Sequence, residues 1–352
     1  MIAHGSLDHA ELAALGVDPA GLADFSSNLN PFGPPTAVRA ALAGLNPAPY
    51  PDRSCHQLRR ALAERHGCAP ATILAGNGAN ELIHLVARAL LRPGDIALVV
   101  GPTFGEYAHA SRLAGGKVVE LRGHERGQFQ LDAEALATAI RRARPRLAWL
   151  CAPNNPTGVD LPAETTLGLA EACAAVGGML VVDRAYRSFL RVEAQGDDPL
   201  DAAPPAGLLR LHSLTKSYAL AGLRLGYLLA DAGLIARIAA YQPTWSVSSP
   251  AQAAGLAALA DERFLPDSMP QLWAGSDRLM AGLAAMGLTV HRADLPFMLV
   301  RSGDGAAARA ALLRRSCVVR DCASFGLPAW VRVAPLRPEQ NARLLDAWEE
   351  VV

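Results

Sequence analysis

Short apolar runs alternate with longer amphipathic stretches through the central part of the chain. The apolar runs end at glycine, proline or polar residues, which predicts strands at 96–100, 116–121, 147–151, 179–183, 208–212 and 223–230. Between them, the spacing of apolar positions predicts helices that end near Leu113 or cover 132–142 and 164–176. Strands that are apolar on both faces and alternate with helices indicate an α/β fold with a mostly parallel sheet, covered on both sides.

The pattern changes on either side of this block. Residues 24–35 are rich in Asn, Pro and Gly and show no helical period, which is typical of an extended arm. From about Pro250 onward, Ala- and Leu-rich helical patterns mix with short strands near 297–300 and 330–333. We therefore predict an N-terminal arm (1–35) that packs with a small C-terminal α+β domain (246–352), and a large domain (36–245) between them.

Composition and charge exclude several classes of protein. The 352 residues are 51% hydrophobic, and 33 basic residues balance 33 acidic ones, so no global basic field for nucleic acid exists. The apolar runs are too short to cross a bilayer and no secretory signal is visible, so we expect a cytoplasmic protein without a membrane partner. The six cysteines form no CxxC pair and the nine histidines show no metal-site spacing, so we expect no metal.

Two loops that follow predicted strands could bind a ligand. Gly76 and Gly78 lie where a short apolar run turns into an amphipathic helix, and a helix N-terminus favours an anion. An ordinary capped turn explains the same residues, and a dinucleotide fingerprint is excluded because Glu81 occupies the third glycine position. Asn155, in a proline-flanked loop, presents an amide at the carboxyl edge of a strand, although it could equally bond to nearby backbone.

Two further strand ends carry charged groups. Asp183 ends a buried strand, where a carboxylate needs a cationic or hydrogen-bonding partner, and Arg184 could supply one. Lys216 directly follows the next strand, between small hydroxyl residues and with Arg224 eight positions on. A lysine with a lowered pKa can form a Schiff base with an aldehyde, and hydroxyls with an arginine suit a phosphate, although most lysines are simply solvated.

The order of these four signals along the chain favours one ligand, a phosphorylated, cationic heteroaromatic aldehyde. Pyridoxal phosphate fits this description. Asp183 would keep the pyridine nitrogen protonated, Asn155 and Tyr186 would contact the ring oxygen, and Lys216 would bind the aldehyde. We therefore predict Lys216, Asp183 and Tyr186 as the catalytic residues.

The sequence resembles the class I and II aminotransferases, which are fold-type-I pyridoxal-phosphate enzymes, through nearly its whole length. The sharpest markers are Asn-Pro-Thr-Gly at 155–158, Asp183 with Tyr186, and the stretch 213–227 that contains Lys216. The resemblance implies a seven-stranded, mostly parallel sheet, and it implies that Phe104 stacks on the cofactor ring. It also implies that Tyr50 reaches the cofactor phosphate of a partner subunit, so that the active unit is a homodimer. The remaining phosphate contacts implied by the resemblance are Gly78, Ala79, Asn80, Ser213, Thr215 and Arg224.

Within that family, two branches compete. The segments 4–5, 24–35, 50–52 and 319–325 resemble the threonine-phosphate decarboxylases of cobalamin biosynthesis. We therefore expect a lyase that converts L-threonine O-3-phosphate to (R)-1-amino-2-propanol phosphate. The alternatives are an aminotransferase that acts on a phosphorylated substrate such as histidinol phosphate, and a non-catalytic binding protein of this fold. Ser6 and Arg184 depart from the decarboxylase pattern.

The resemblance also implies residues for a small phosphorylated amino-acid substrate. Arg332 matches the family arginine that binds the substrate carboxylate as a planar fork. Arg320 is the candidate for the substrate phosphate together with His4, while Asn30 and Asn155 complete the predicted set. Ordinary solvated or strand-edge arginines would explain the same residues.

Overall fold

A sheet of seven strands forms the centre of the larger layered unit. The computed structural model describes residues 7–191, 199–201 and 207–351. The strand order is β2-β8-β7-β6-β5-β3-β4, and all neighbours are parallel except that β8 runs antiparallel to both β2 and β7. The strands are β2 (Ile73–Asn77), β3 (Ile96–Gly101), β4 (Lys117–Arg122), β5 (Leu147–Cys151), β6 (Met179–Asp183), β7 (Leu208–Ser213) and β8 (Leu225–Leu229).

Helices cover both faces of this sheet, which explains why its central strands are apolar on both sides. One apolar core joins the sheet to α4, α5 and α8, and a second joins it to α6 and α7. These helices are α4 (Gly78–Leu90), α5 (Glu106–Leu113), α6 (Ala133–Ala143), α7 (Ala163–Ala175) and α8 (Ala232–Ala239). Every residue of β5 is buried, as expected for a strand between two helical layers. The predicted α/β architecture, with a mostly parallel seven-stranded sheet between helices, is confirmed.

A smaller antiparallel sheet follows in the C-terminal part. Its order is β12-β13-β10-β9, formed by β9 (Thr289–His291), β10 (Met298–Arg301), β12 (Arg320–Asp321) and β13 (Trp330–Val333). The helices α10 (Phe264–Ala285), α11 (Gly305–Leu313) and α12 (Pro338–Glu349) pack against it through a shared apolar core. None of the helices in the described residues is both long enough and apolar enough to cross a membrane.

The N-terminal arm contacts both layered units. After α1 (His9–Ala14), β1 (Ala23–Asp24) pairs in parallel with β11 (Cys317–Val318). The arm then crosses to Lys216, whose carbonyl oxygen accepts a hydrogen bond from the backbone N–H of Asn30 at 3.0 Å. Helices α2 (Thr36–Ala43), α3 (His56–His66) and α9 (Ser249–Ala260) share one core with β2 and β8. The domain boundaries at 35 and 245 stay a prediction.

Candidate active site

A cavity of about 370 Å³ lies where β5, β6 and β7 end and α4 begins. The parallel strands β5, β6 and β7 bring their carboxyl ends to one edge of the sheet, so the residues that follow them meet there. The structure thus gathers in one place side chains that are far apart in the sequence. The predicted site residues that line this cavity are Ala79, Asn80, Phe104, Asn155, Asp183, Tyr186, Thr215, Lys216, Arg224 and Arg332.

One end of the cavity is built for an anion. Gly78 begins α4 with φ +75°, and a Cβ atom there would lie 2.7 Å from Nη2 of Arg224. Gly226 of β8 also leaves no room for a side chain, since a Cβ atom there would lie 2.7 Å from the backbone nitrogen of Ala79. Asn80 follows in the first turn of α4 and also lines the cavity. Backbone N–H groups, a helix N-terminus and a guanidinium converge here, as a phosphate group requires.

The turn before α4 is held from outside the cavity. The Oε2 atom of Glu81 accepts a hydrogen bond from the backbone N–H of Asn77 at 2.7 Å, and Gln242 and Ser246 donate to the same carboxylate. Glu81 therefore stabilises the turn. This explains why an acidic residue stands where a dinucleotide fingerprint would need glycine.

The carboxylate of Asp183 forms the floor of the cavity. It is 5% exposed, and its Oδ1 atom accepts from the backbone N–H of Ala185 at 2.8 Å. Its Oδ2 atom accepts from the hydroxyl of Tyr107 at 2.7 Å, so the bonding partner is not Arg184. Burial raises the pKa of Asp183, while these two donors and the charge of Lys216 lower it.

Lys216 reaches the cavity from the loop between β7 and β8. Burial lowers the pKa of its amine, Asp183 raises it, and Arg224 lowers it further. The Nζ atom lies 5.9 Å from the ring centroid of Tyr186. A lysine in this environment has a larger neutral fraction near pH 7 than a solvated one, which is what an amine nucleophile needs.

A hydrogen-bonded layer closes the other side. The hydroxyl of Tyr186 accepts from Nδ2 of Asn28 at 3.2 Å, and burial raises the pKa of Tyr186 to about 12. Arg332 is 4% exposed and donates to Oδ1 of Asn155 and to the backbone carbonyl of Ser26. Its Nε atom has no hydrogen-bond partner within the described part of the chain. The arginine is thus locked in place with donor capacity left over.

Several predicted residues lie elsewhere. Asn30 is fully engaged away from the cavity: its Nδ2 donates to the carbonyl of Ser217 and to Ser268, and its Oδ1 accepts from the backbone N–H of Phe32. Because these bonds occupy its amide, the expected substrate contact of Asn30 is not supported, and Asn28 occupies the corresponding place in the cavity wall.

Four more predicted site residues are not found in the cavity lining. Ser213 accepts from the backbone N–H of Thr215 and faces a second, smaller cavity behind the lysine loop. Arg320 lies opposite Arg332 across β12 and β13 and donates to Ser324, outside the cavity lining. Tyr50 is 78% exposed and stacks on Trp245, with ring centroids 4.5 Å apart. His4 lies outside the described residues.

Sequence reasoning missed eight residues of the cavity wall, of which Asn28, Tyr107 and Cys151 contact or neighbour the predicted site residues. Tyr107 lies one helical turn after Phe104, and this spacing could have indicated a shared face. Cys151 pairs in register with Asp183, so the strand alignment could have placed it next to the carboxylate. Nothing in the irregular arm distinguishes Asn28 from Asn30.

The comparison with known families agrees with this geometry. The sequence profile described as Aminotransferase class I and II matches residues 20–347. The chain belongs to the class I and II aminotransferase family. The family resemblance seen in the sequence is confirmed, and the cofactor prediction is confirmed at the level of this family, whose members depend on pyridoxal phosphate.

Individual members of the family refine the comparison. Histidinol-phosphate aminotransferase 2 of Ralstonia nicotianae is 37% identical over 346 residues, which cover 96% of this chain and 90% of that protein. The crystal structure of histidinol-phosphate aminotransferase from Sinorhizobium meliloti in complex with pyridoxal-5'-phosphate superposes with a TM-score of 0.85 at 26% identity, and covers 98% of this chain and 94% of that one. L-threonine-O-3-phosphate decarboxylase from Porphyromonas gingivalis superposes with a TM-score of 0.79 at 26% identity, and covers 93% and 98%.

These relatives correct one expectation about this aminotransferase-family chain. The prediction of threonine-phosphate decarboxylation is wrong, because the similar curated relatives, at 34–37% identity over nearly the whole chain, are histidinol-phosphate aminotransferases.

Proposed function

We propose that this chain is a pyridoxal-phosphate-dependent aminotransferase that transfers the amino group of histidinol phosphate, or of a closely similar phosphorylated amine, to a keto acid. The observation that carries the proposal is the 37% identity to a histidinol-phosphate aminotransferase over 96% of the chain. The alternative that the sequence left open thus becomes the main hypothesis. A small phosphorylated substrate remains part of the proposal.

The residues present fit the cofactor. The glycine cradle at Gly78, the Nδ2 amide of Asn80 and the guanidinium of Arg224 would hold its phosphate. Asp183 would hold the ring nitrogen, Asn155 and Tyr186 the ring oxygen, and Phe104 the ring face, and Lys216 would bind the aldehyde. When bound, pyridoxal phosphate supplies an electron sink that stabilises negative charge at the α-carbon of the substrate.

Lys216 is the group suited to move the proton at that α-carbon. It carries the one primary amine among the described residues of the cavity lining, and burial lowers its pKa. A neutral amine accepts a proton and returns it as an ammonium, so one side chain can act as base and then as acid. Asp183 beside it keeps the local charge balanced during this exchange.

Arg332 is suited to bind an anionic group of each substrate. A planar guanidinium matches both the phosphate of the amino donor and a carboxylate of the keto acid. Its two anchors, Asn155 and the carbonyl of Ser26, fix its plane before a ligand arrives, which reduces the entropy lost on binding. Burial lowers the pKa of Arg332 because its guanidinium has lost hydrating water. A bound anion would replace those lost interactions, so the site favours an anionic ligand.

Tyr50 supports a homodimer as part of the proposal. Its ring is exposed and stacked on Trp245 rather than turned into the cavity of its own chain. A large exposed aromatic pair is typical of a protein–protein interface. We propose that Tyr50 completes the phosphate site of a partner subunit.

The proposed function is tested by steady-state assay of the purified holoenzyme with histidinol phosphate and 2-oxoglutarate. Formation of glutamate that depends on both substrates, and that the Lys216→Ala variant loses, is the expected result. The same enzyme with O-phosphothreonine and no keto acid serves as the contrast. Release of carbon dioxide in that reaction, with no glutamate formed from histidinol phosphate, would overturn the proposal.

A further inference from the structure

Tyr107 touches the carboxylate on which the proposed chemistry depends. It lies on α5 and is 1% exposed, and its hydroxyl donates to Oδ2 of Asp183 at 2.7 Å. Its ring stacks on Trp149, with centroids 5.3 Å apart and planes 14° apart, and the ring of Phe104 meets its edge at 5.7 Å. The phenol is therefore clamped between the sheet and the ring that lines the cavity.

A second set of bonds holds this clamp from behind. The indole N–H of Trp149 donates to the hydroxyl of Ser111 at 3.0 Å. The same hydroxyl donates to the backbone carbonyl of Tyr107 at 2.7 Å, one helical turn earlier. All three side chains are at most 1% exposed. A polar network that is buried and satisfied in this way is rigid and fixes one geometry.

Asp183 has few other groups to keep it charged. The titratable groups that face it are Tyr107 from α5, Cys151 from β5, Tyr186 after β6 and Lys216 from the loop after β7. Burial raises the pKa of Cys151 and of Tyr186 to about 12, so both stay neutral. Lys216 contributes charge, and within the described residues Tyr107 is the side chain that donates a hydrogen bond to the carboxylate.

We infer that Tyr107 is a positioning residue that keeps Asp183 ionised and turned toward the cavity, so that the carboxylate can hold a protonated ring nitrogen. The inference rests on the proposed cofactor. Two donors on different oxygens, the hydroxyl of Tyr107 and the N–H of Ala185, leave the carboxylate no freedom to rotate. Burial also raises the pKa of Tyr107 well above its ordinary value, so the hydroxyl remains a donor throughout the working pH range.

Removal of the Tyr107 hydroxyl should raise the pKa of Asp183. Burial alone raises it, and the Tyr107 hydrogen bond lowers it. Without that bond the pKa of Asp183 rises, so the carboxyl is protonated at a higher pH. A protonated carboxyl has no charge with which to stabilise a pyridinium. As the pH is lowered, Tyr107→Phe should therefore lose affinity for the cofactor at a higher pH than the wild type does.

The test is the dissociation constant of pyridoxal phosphate as a function of pH, measured by absorbance titration of apoenzyme for wild type and Tyr107→Phe. We expect the acidic limb of the Tyr107→Phe profile to lie at a higher pH than that of the wild type, with smaller differences above about pH 8. Tyr227→Phe is the matched control. This variant also removes a buried phenol hydroxyl, but that hydroxyl lies 2.9 Å from Nε2 of His66 and does not bond to Asp183.

A double-mutant cycle separates positioning from general damage. In an Asp183→Asn background, Tyr107→Phe should change the cofactor affinity by less than about twofold, because a residue that acts through Asp183 has nothing left to act on. The inference would be overturned, and the proposed function left standing, by an unchanged pH profile in Tyr107→Phe. The same holds if the double variant loses cofactor affinity by the sum of the two single effects. Absence of cofactor binding by the wild type would instead overturn the proposed function, and the inference with it.

Discussion

Gly78→Ala is the perturbation that most sharply probes the phosphate end of the cavity. Gly78 has φ +75°, and the added Cβ atom would lie 2.7 Å from Nη2 of Arg224. The alanine therefore causes two separate effects: backbone strain in the left-handed region, and displacement of a guanidinium from the anion site. Only the second effect concerns the cofactor.

The two magnitudes can be separated with a matched control. Gly177 has φ +76°, and a Cβ atom added there would meet no atom within 4 Å, so Gly177→Ala carries the strain without the displacement. We expect each variant to lose about 1–2 kcal/mol of unfolding free energy from the left-handed backbone. Gly78→Ala should also lose part of the contact between the Arg224 guanidinium and the phosphate. Because Arg224 is exposed and solvent screens this contact, we expect a loss of about 1–2 kcal/mol of cofactor binding free energy, or about 5- to 30-fold in Kd.

The assay compares binding of pyridoxal phosphate and of pyridoxal, which lacks the phosphate, to both variants and the wild type. Gly78→Ala should weaken pyridoxal phosphate about 5- to 30-fold and leave pyridoxal within about twofold. Gly177→Ala should leave both affinities unchanged. Equal affinities of the two variants for pyridoxal phosphate, or an equal loss for pyridoxal, would refute the assignment of this helix N-terminus to the phosphate.

Three further predictions follow from individual side chains. If Tyr50 acts in a partner subunit, mixing inactive Tyr50→Ala and Lys216→Ala proteins should restore about a quarter of the wild-type activity through heterodimers, and no recovery after exchange of subunits would contradict this. Asn30→Ala should lower the unfolding free energy by about 1–3 kcal/mol in denaturant titrations, because it leaves buried partners unsatisfied, whereas the exposed Asn46→Ala should change it by much less. Burial lowers the pKa of His66 to about 4, so the unfolded chain binds a proton first as pH falls below about 6.5, and stability should drop by about 1–3 kcal/mol between pH 6.5 and 4. His66→Gln should reduce that pH dependence and leave the part that His212 contributes, because burial lowers the pKa of His212 as well. An unchanged slope would show that His66 does not cause it.

The fold was largely predictable because hydrophobic periodicity reports burial directly. Strands buried on both faces, such as Leu147–Cys151, form continuous apolar runs and reveal the helical layers around them. The direction of β8 was not predictable in the same way, since an antiparallel strand between covered faces has the same apolar pattern as a parallel one. Its antiparallel return is what brings Arg224 back to the helix that starts at Gly78.

The candidate site was predictable where a side chain directly follows a strand. Asp183 and Lys216 are examples, because strand ends meet at one edge whatever the intervening chain does. Asn28 and Asn30 show the opposite case: they differ by two positions in an arm without a regular repeat, and only the tertiary contacts of Asn30 decide which one faces the cavity. Tyr107 carries only a weak signal: its spacing from Phe104 indicates a shared face, but an ordinary core aromatic at helical spacing has the same pattern.

The choice of reaction lies beyond such patterns. Cleavage of a carboxylate or removal of a hydrogen depends on which bond stands perpendicular to the cofactor ring, and small displacements of Arg332 and its neighbours decide that. The sequence relatives were therefore needed to correct the expected decarboxylation.

The central claim is tested most directly by following a ¹⁵N label from the amino group of histidinol phosphate by NMR, with unlabelled 2-oxoglutarate as the acceptor. The proposed function predicts that the label appears in glutamate with wild-type holoenzyme and stays in histidinol phosphate with Lys216→Ala. Label that never reaches glutamate with the wild-type holoenzyme would contradict the claim.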